Sequence, residues 1–133
     1  MKKINMYAGI ALLGSVLLAS ACKKKEEEQT HEADIQIGAP VAGHTYEHGD
    51  TVFINAVITH TDPMHGWDVY LRKTADQSEV FTADAHDHAA TYTISQYWVN
   101  NVTDHTEMEL EVKAVIDHDG TTQSKKVTFH CHP

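Results

Sequence analysis

The stretch ELEVKAVIDHDGTTQSKKVTF, residues 109–129, decides the fold class of this chain. Apolar and polar residues alternate on both sides of the turn at Asp119 and Gly120, and a period of two is typical of strands that bury one face. An Asp-Gly pair between two such runs is a strong hairpin signal. The stretch therefore predicts two antiparallel strands, at residues 107–116 and 123–131.

The same alternation continues back to residue 34, in short runs that are separated by turn residues. Together with the hairpin it predicts one all-β domain of seven strands, at 34–37, 51–60, 66–73, 78–83, 90–95, 107–116 and 123–131. This number of strands, with Trp67 opening the third and a hairpin closing the chain, resembles a bacterial immunoglobulin-like or fibronectin-like sandwich. The resemblance implies a single antiparallel β-sandwich over residues 34–133 and no particular function.

The N-terminus has the three parts of a secretory signal. Two lysines precede an apolar run at residues 7–18, and the run ends in the small residues and cysteine of ASAC, residues 19–22. Small residues directly before a cysteine resemble a bacterial lipobox. The resemblance implies a signal peptide over residues 1–21 and a membrane-anchoring lipid on Cys22. The alternative is an ordinary cleaved signal peptide followed by an unmodified cysteine.

The charged sequence KKKEEE follows at residues 23–28 and resembles the surface-export signal of Bacteroidota lipoproteins. Residues 22–33 are accordingly predicted to form the lipidated cysteine and a charged, solvated tether. These resemblances imply an outer-membrane lipoprotein of the cell envelope and favour exposure at the cell surface.

The charge of the chain and the motifs that it lacks argue against two classes of function. The 133 residues include 10 Lys or Arg and 19 Asp or Glu, for a formal charge of -9. This excess of carboxylates argues against a nucleic-acid partner, since phosphate binding depends on cationic side chains. The common hydrolase, nucleotide-binding and dithiol redox motifs are missing from the sequence, so we do not expect an enzyme.

The chain is unusually rich in histidine, with 11 residues. In an antiparallel sandwich alternate connections lie at the same end, so three connections that carry His and Asp are expected to meet. Imidazole and carboxylate groups suit zinc or copper, and three or four of them could hold one ion. Alternatively, the histidines are surface residues that only adjust charge with pH. The candidate ligands at this end are His60, Asp62, His65, Asp84, His86, His88, Asp117 and His118.

A second candidate metal site lies at the opposite end of the predicted sandwich. Its residues are His44, His48, His105, His130, Cys131 and His132. Strand alternation places Cys131 on the core side with Phe129, which favours a buried, unreactive thiol. Fraying of the last strand would instead let Cys131 join the neighbouring histidines.

Two functional hypotheses follow. The first is a lipid-anchored, extracytoplasmic protein that binds zinc or copper through its His- and Asp-rich loops, to capture, buffer or transfer the ion to a metal transporter or surface protein. The alternative is a non-catalytic structural, adhesion or protein-interaction module without a specific metal.

Overall fold

The computed structural model describes residues 32–133. The predicted signal peptide, the lipidation of Cys22 and most of the tether lie outside the described residues. Residues 32–133 contain no helix of the length and apolarity that a membrane span requires.

Eight strands form two sheets that face each other. The three-stranded sheet has the order β1-β3-β6, and the five-stranded sheet has the order β2-β8-β7-β4-β5. Neighbouring strands are antiparallel, except that β2 and β8 are parallel. The predicted all-β sandwich is confirmed, with eight strands in place of seven. The strands are β1 (Asp34–Ala39), β2 (Thr45–Tyr46), β3 (Thr51–Met64), β4 (Gly66–Lys73), β5 (Glu79–Ala85), β6 (Ala89–Val99), β7 (Thr106–Val115) and β8 (Thr122–Cys131).

The core lies between the sheets and follows directly from the alternation in the sequence. In β3 every second residue from Val52 to Ile58 is buried, and in β7 every second residue from Met108 to Ala114. These side chains belong to one continuous hydrophobic cluster that also includes Phe129. Residues 32–133 therefore contain their own core and have what a domain needs to fold independently.

Two strands, β3 and β6, end four residues beyond their predicted ends. β3 continues from His60 to Met64 through an irregular segment, and Met64 pairs with Ala89 at the start of β6. β6 continues to Val99, because its pairing with β3 extends to Thr51. The connection between β3 and β4 is consequently the single residue His65. Strand pairing at the sheet ends, which local sequence does not encode, sets these boundaries.

The short strand β2 was not predicted. Thr45 and Tyr46 pair with His130 and Cys131, and the His132 N–H donates to the Tyr46 carbonyl oxygen at 2.9 Å. This pairing holds the end of β8 in place, so that Cys131 is fully buried, as the alternation predicts. The structure shows no fraying that would bring the thiol out to the neighbouring histidines.

Candidate functional site

Three of the predicted metal ligands come together at one end of the sandwich. The ring centre of His65 lies 3.7 Å from that of His118 and 4.5 Å from that of His88, and the last two are 6.1 Å apart. The three residues belong to the β3–β4, β5–β6 and β7–β8 connections. We call His65, His88 and His118 the rim cluster.

A buried tyrosine fixes two of these connections relative to each other. The hydroxyl of Tyr92, on β6, lies 3.2 Å from the carbonyl oxygen of Met64 and is also hydrogen-bonded to the carbonyl oxygen of Asp87. Met64 directly precedes His65, and Asp87 directly precedes His88. One hydroxyl group therefore positions the backbone next to two of the three rings.

Gly66 allows the same connections to approach closely. Its φ is +145°, and a Cβ at this position would lie 2.2 Å from the carbonyl oxygen of Ala85 and 3.2 Å from the Cα of His86. Only a residue without a side chain lets the start of β4 lie against the end of β5 in this way.

The third connection is ordered by a carboxylate. Oδ1 of Asp117 accepts the backbone N–H groups of Asp119 at 2.9 Å and Thr121 at 3.0 Å. Hydrogen bonds from Thr121 are the main reason that the pKa of Asp117 lies below its usual value, with a smaller contribution from nearby His65. Asp117 is therefore a fixed negative charge beside the rim cluster.

The crowding of the rings changes the titration of His65. Partial removal from water lowers the pKa of His65, and repulsion by His118 and His88 lowers it further, while Asp117 opposes the shift. A lowered pKa favours the neutral imidazole, which is the form that binds metal ions.

The rings of the rim cluster pack on one another and do not point at a common centre. Zn–N bonds of about 2.0–2.1 Å would place the ring centres of two ligands about 5 Å apart, so His65 and His118 are closer than co-ligands would be. Consistently, no group of three or more His, Cys, Asp or Glu side chains in residues 32–133 is arranged to hold a metal ion.

The other candidates at this end have different surroundings. His60 lines a shallow depression with Glu32 and Asp34, and its Nδ1 lies 2.9 Å from the carbonyl oxygen of Asp62. His86 is 77% exposed, with Nε2 4.0 Å from Oδ2 of Asp84. His60 with Asp62 and His86 with Asp84 thus form two pairs outside the three rings of the rim cluster.

The second candidate set divides into separate contacts. The rings of His105 and His132 lie 4.3 Å apart, and Nδ1 of His132 lies 3.5 Å from Oε1 of Glu47. His44 packs edge-on against Tyr46. His48 Nδ1 lies 3.2 Å from the carbonyl oxygen of Val102, and His130 is exposed.

The thiol of Cys131 is expected to be unreactive in the folded protein. Burial raises its pKa to about 11 from 9.0, and the thiolate is the nucleophile. At pH 8 we expect Cys131 in the folded domain to react with a thiol reagent such as dithionitrobenzoate at least about 100-fold more slowly than after unfolding in urea. Equal rates in the two states would show that the end of β8 opens readily.

The sequence analysis missed one further surface, the outer face of the three-stranded sheet. Strand register places one set of alternate residues of β1, β3 and β6 on this face. Among them only Asp34, at the end of β1, carries a charge. We call this surface the neutral face. Its residues are Asp34, Gln36, Gly38, Thr51, Phe53, Asn55, Val57, Thr59, Thr91, Thr93, Ser95, Tyr97 and Val99.

The neutral face contrasts with the rest of the domain. Residues 32–133 contain five Lys or Arg and sixteen Asp or Glu, an excess of eleven negative charges. All five cationic residues lie on β4, β7 and β8 of the other sheet, where Arg72 pairs with Glu111 at 2.7 Å and Lys126 with Glu109 at 2.9 Å. The sequence contained this signal, since the outward positions of residues 51–59 and 91–99 are uncharged.

Large apolar side chains are exposed on the neutral face. Phe53 is 56% exposed and Tyr97 is 64% exposed, and the two residues lie directly opposite each other on β3 and β6. Val57 and Val99 are exposed on the same face. Aromatic residues together with a lack of charge are typical of the centres of protein interfaces.

Comparisons with known proteins support the fold. No family model and no curated protein matches this chain. A solved structure of the fibronectin(III)-like modules of Clostridium thermocellum CbhA is similar to it, with a TM-score of 0.51 and 17% sequence identity, over 74% of this chain and 96% of that chain. At this identity the similarity establishes a fibronectin(III)-like sandwich and nothing about function.

Proposed function

We propose that this chain is a non-catalytic structural or adhesion module of the cell envelope, anchored by a lipid on Cys22, that associates with a second copy of itself through the neutral face. The observation that carries the proposal is the concentration of charge on one sheet and of exposed aromatic residues on the other. A fibronectin(III)-like fold, which typically has no catalytic role, agrees with it.

Charge makes the neutral face the most favourable surface for contact with a second copy. Two domains that each carry an excess of eleven negative charges repel one another, and at physiological salt this repulsion acts over about 8 Å. Contact through the neutral face keeps the carboxylates of both copies at the periphery and in water. It also avoids the cost of removing charged groups from solvent.

The shape of the neutral face suits a symmetric contact. An outer sheet face can pack against the same face of another copy about a two-fold axis, which is the commonest arrangement of homodimers. Phe53 and Tyr97 would then be buried, and each large apolar side chain that is fully buried contributes about 1.5–3 kcal/mol.

The edge of the three-stranded sheet next to the neutral face is also uncharged. β6 is an edge strand of eleven residues, AATYTISQYWV, without a charged residue or a proline. Edge strands usually carry charges or proline, which prevent unwanted pairing. The edge therefore adds no charge repulsion to a contact through the neutral face.

Sedimentation equilibrium of residues 32–133 tests the proposal. We expect a reversible monomer–dimer equilibrium with a dissociation constant of about 10–100 μM, and Tyr97→Lys should weaken it at least about 30-fold, since each dimer would bury two unpaired ammonium groups. Thr82→Lys is the matched control, because Thr82 is exposed on the outer face of the other sheet.

Two results of the sedimentation experiment would overturn the proposal. One is a domain that stays monomeric up to about 1 mM, well above the expected dissociation constant. The other is an equal effect of Tyr97→Lys and Thr82→Lys, which would mean that net charge and not the neutral face controls association. Binding of a different envelope protein with the neutral face, while the domain alone stays monomeric, would also count against a second copy.

The zinc- or copper-binding function remains a prediction from the sequence, as do the metal transporter or surface protein as partner and the location in the outer membrane. Within residues 32–133 the rim cluster is the feature that favours metal binding, although its rings are packed on one another.

A further inference from the structure

We propose that the rim cluster is a transition-metal site in which His65, His88 and His118 together bind one zinc or copper ion. This inference is independent of the neutral face. It rests on three imidazole rings that come from three separate connections and lie within 3.7–6.1 Å of one another.

The backbone around the rim cluster is held in place before any ligand arrives. The Tyr92 hydroxyl joins the segments that carry His65 and His88, and the His65 N–H donates to the carbonyl oxygen of Val115 at 2.8 Å, next to the connection that carries His118. A site on fixed backbone positions loses little conformational freedom when it binds its ligand.

The packed rings must rotate to become a ligand set. The three ring-centre distances, 3.7, 4.5 and 6.1 Å, lie on both sides of the spacing of about 5 Å that tetrahedral co-ligands require. His88 and His118 are exposed, so their rings can change rotamer without displacing the core. The closest pair must separate by about 1–1.5 Å to reach the spacing of co-ligands.

The surrounding carboxylates suit a divalent cation. Asp117 lies beside His65, with its Oδ1 already engaged by two backbone N–H groups. Such a carboxylate adds negative potential and can orient a ligating imidazole through its second oxygen. Three imidazole ligands leave a fourth position of a tetrahedral ion open, which suits an ion that is captured and passed on.

Zinc competition against a chromogenic chelator, together with the absorption spectrum of added Co(II), tests the site on residues 32–133. We expect one ion per domain with a dissociation constant of about 1–10 μM, and visible Co(II) bands of tetrahedral strength. His65→Gln, His88→Gln and His118→Gln should each weaken binding at least about 10-fold and reduce the Co(II) bands, because each removes one of three ligands.

Two control variants separate this site from histidine content in general. His86→Gln changes the same connection as His88→Gln but removes a ring outside the cluster. The double variant His105→Gln and His132→Gln removes the ring pair at the opposite end. Both should bind zinc like the unaltered domain. Circular dichroism of every variant checks that the sandwich is intact.

Three results would overturn the metal site. The first is zinc binding weaker than about 100 μM in the unaltered domain. The second is an equal loss of zinc affinity in His86→Gln and His88→Gln. The third is a loss of zinc affinity when His105 and His132 are replaced, which would place the ion at the other end of the sandwich.

Discussion

Replacing Asn100 by leucine is expected to lower the free energy of unfolding by about 3–5 kcal/mol, because Asn100 is a fully buried polar residue whose hydrogen bonds join three segments. Its Nδ2 donates to the carbonyl oxygens of Tyr46 at 3.1 Å and His132 at 2.9 Å, and its Oδ1 accepts the Val102 N–H at 3.2 Å. Leucine has a similar size but removes one of the two hydrogen bonds to the Tyr46 carbonyl, and it leaves the His132 carbonyl and the Val102 N–H without the partners that Asn100 supplies.

The position of Asn100 in the fold explains why so much depends on one side chain. Tyr46 belongs to the short strand β2, His132 follows β8, and Val102 lies in the connection after β6. The backbone of Asn100 adds two bonds, from its N–H to the Asp50 carbonyl and from the Gly49 N–H to its own carbonyl. This end of the sandwich is therefore joined by one residue, as the other end is joined by Tyr92.

Urea denaturation of residues 32–133 measures the effect, and the neighbouring Asn101 supplies the control. Asn101 is exposed, so Asn101→Leu should change the free energy of unfolding by no more than about 0.5 kcal/mol. Asn100→Asp should destabilise the domain at least as much as Asn100→Leu does, since a carboxylate would face two carbonyl oxygens. If Asn100→Leu lowered the free energy of unfolding by less than about 1 kcal/mol, water would have to reach the segments that Asn100 joins.

Local alternation was sufficient to predict the architecture. The hairpin of residues 109–129 has the predicted strands and turn, and the inward residues from Met108 to Ala114 are buried. Properties that depend on pairing between distant segments were not predictable in this way. β2 has two residues and exists because β8 lies next to it, and the true end of β3 depends on Ala89.

For the candidate site, too, the sequence predicted the topology but not the details that depend on tertiary contacts. Antiparallel topology alone indicates which connections meet, and it correctly brings His65, His88 and His118 to one end. It does not indicate where a side chain points on a connection, so His60 and His86 were grouped with the others. The burial of Asn100 depends wholly on tertiary contacts, because nothing in the local sequence distinguishes it from the exposed Asn101.

Gly66→Ala is expected to destabilise the domain by about 3–5 kcal/mol, for two reasons that add. A φ of +145° is a backbone conformation that residues with a side chain rarely adopt, and holding alanine in it costs about 1–3 kcal/mol. In addition the new Cβ would lie 2.2 Å from the carbonyl oxygen of Ala85, so the start of β4 and the end of β5 must move apart. Pairing between Trp67 and Ala85 would be the first to break.

Gly120→Ala separates these two reasons. Gly120 also has a positive φ, of +86°, but a Cβ there would have no atom within 4 Å. Gly120→Ala should therefore lower the free energy of unfolding only through backbone strain, by about 1 kcal/mol. Urea denaturation should therefore rank Gly66→Ala well below Gly120→Ala in stability. Because the displacement changes the fixed backbone spacing of His65 and His88, Gly66→Ala should also weaken zinc binding at the rim cluster while Gly120→Ala leaves it within about 3-fold. Similar stabilities for the two variants would show that β4 and β5 do not need the close approach at Gly66.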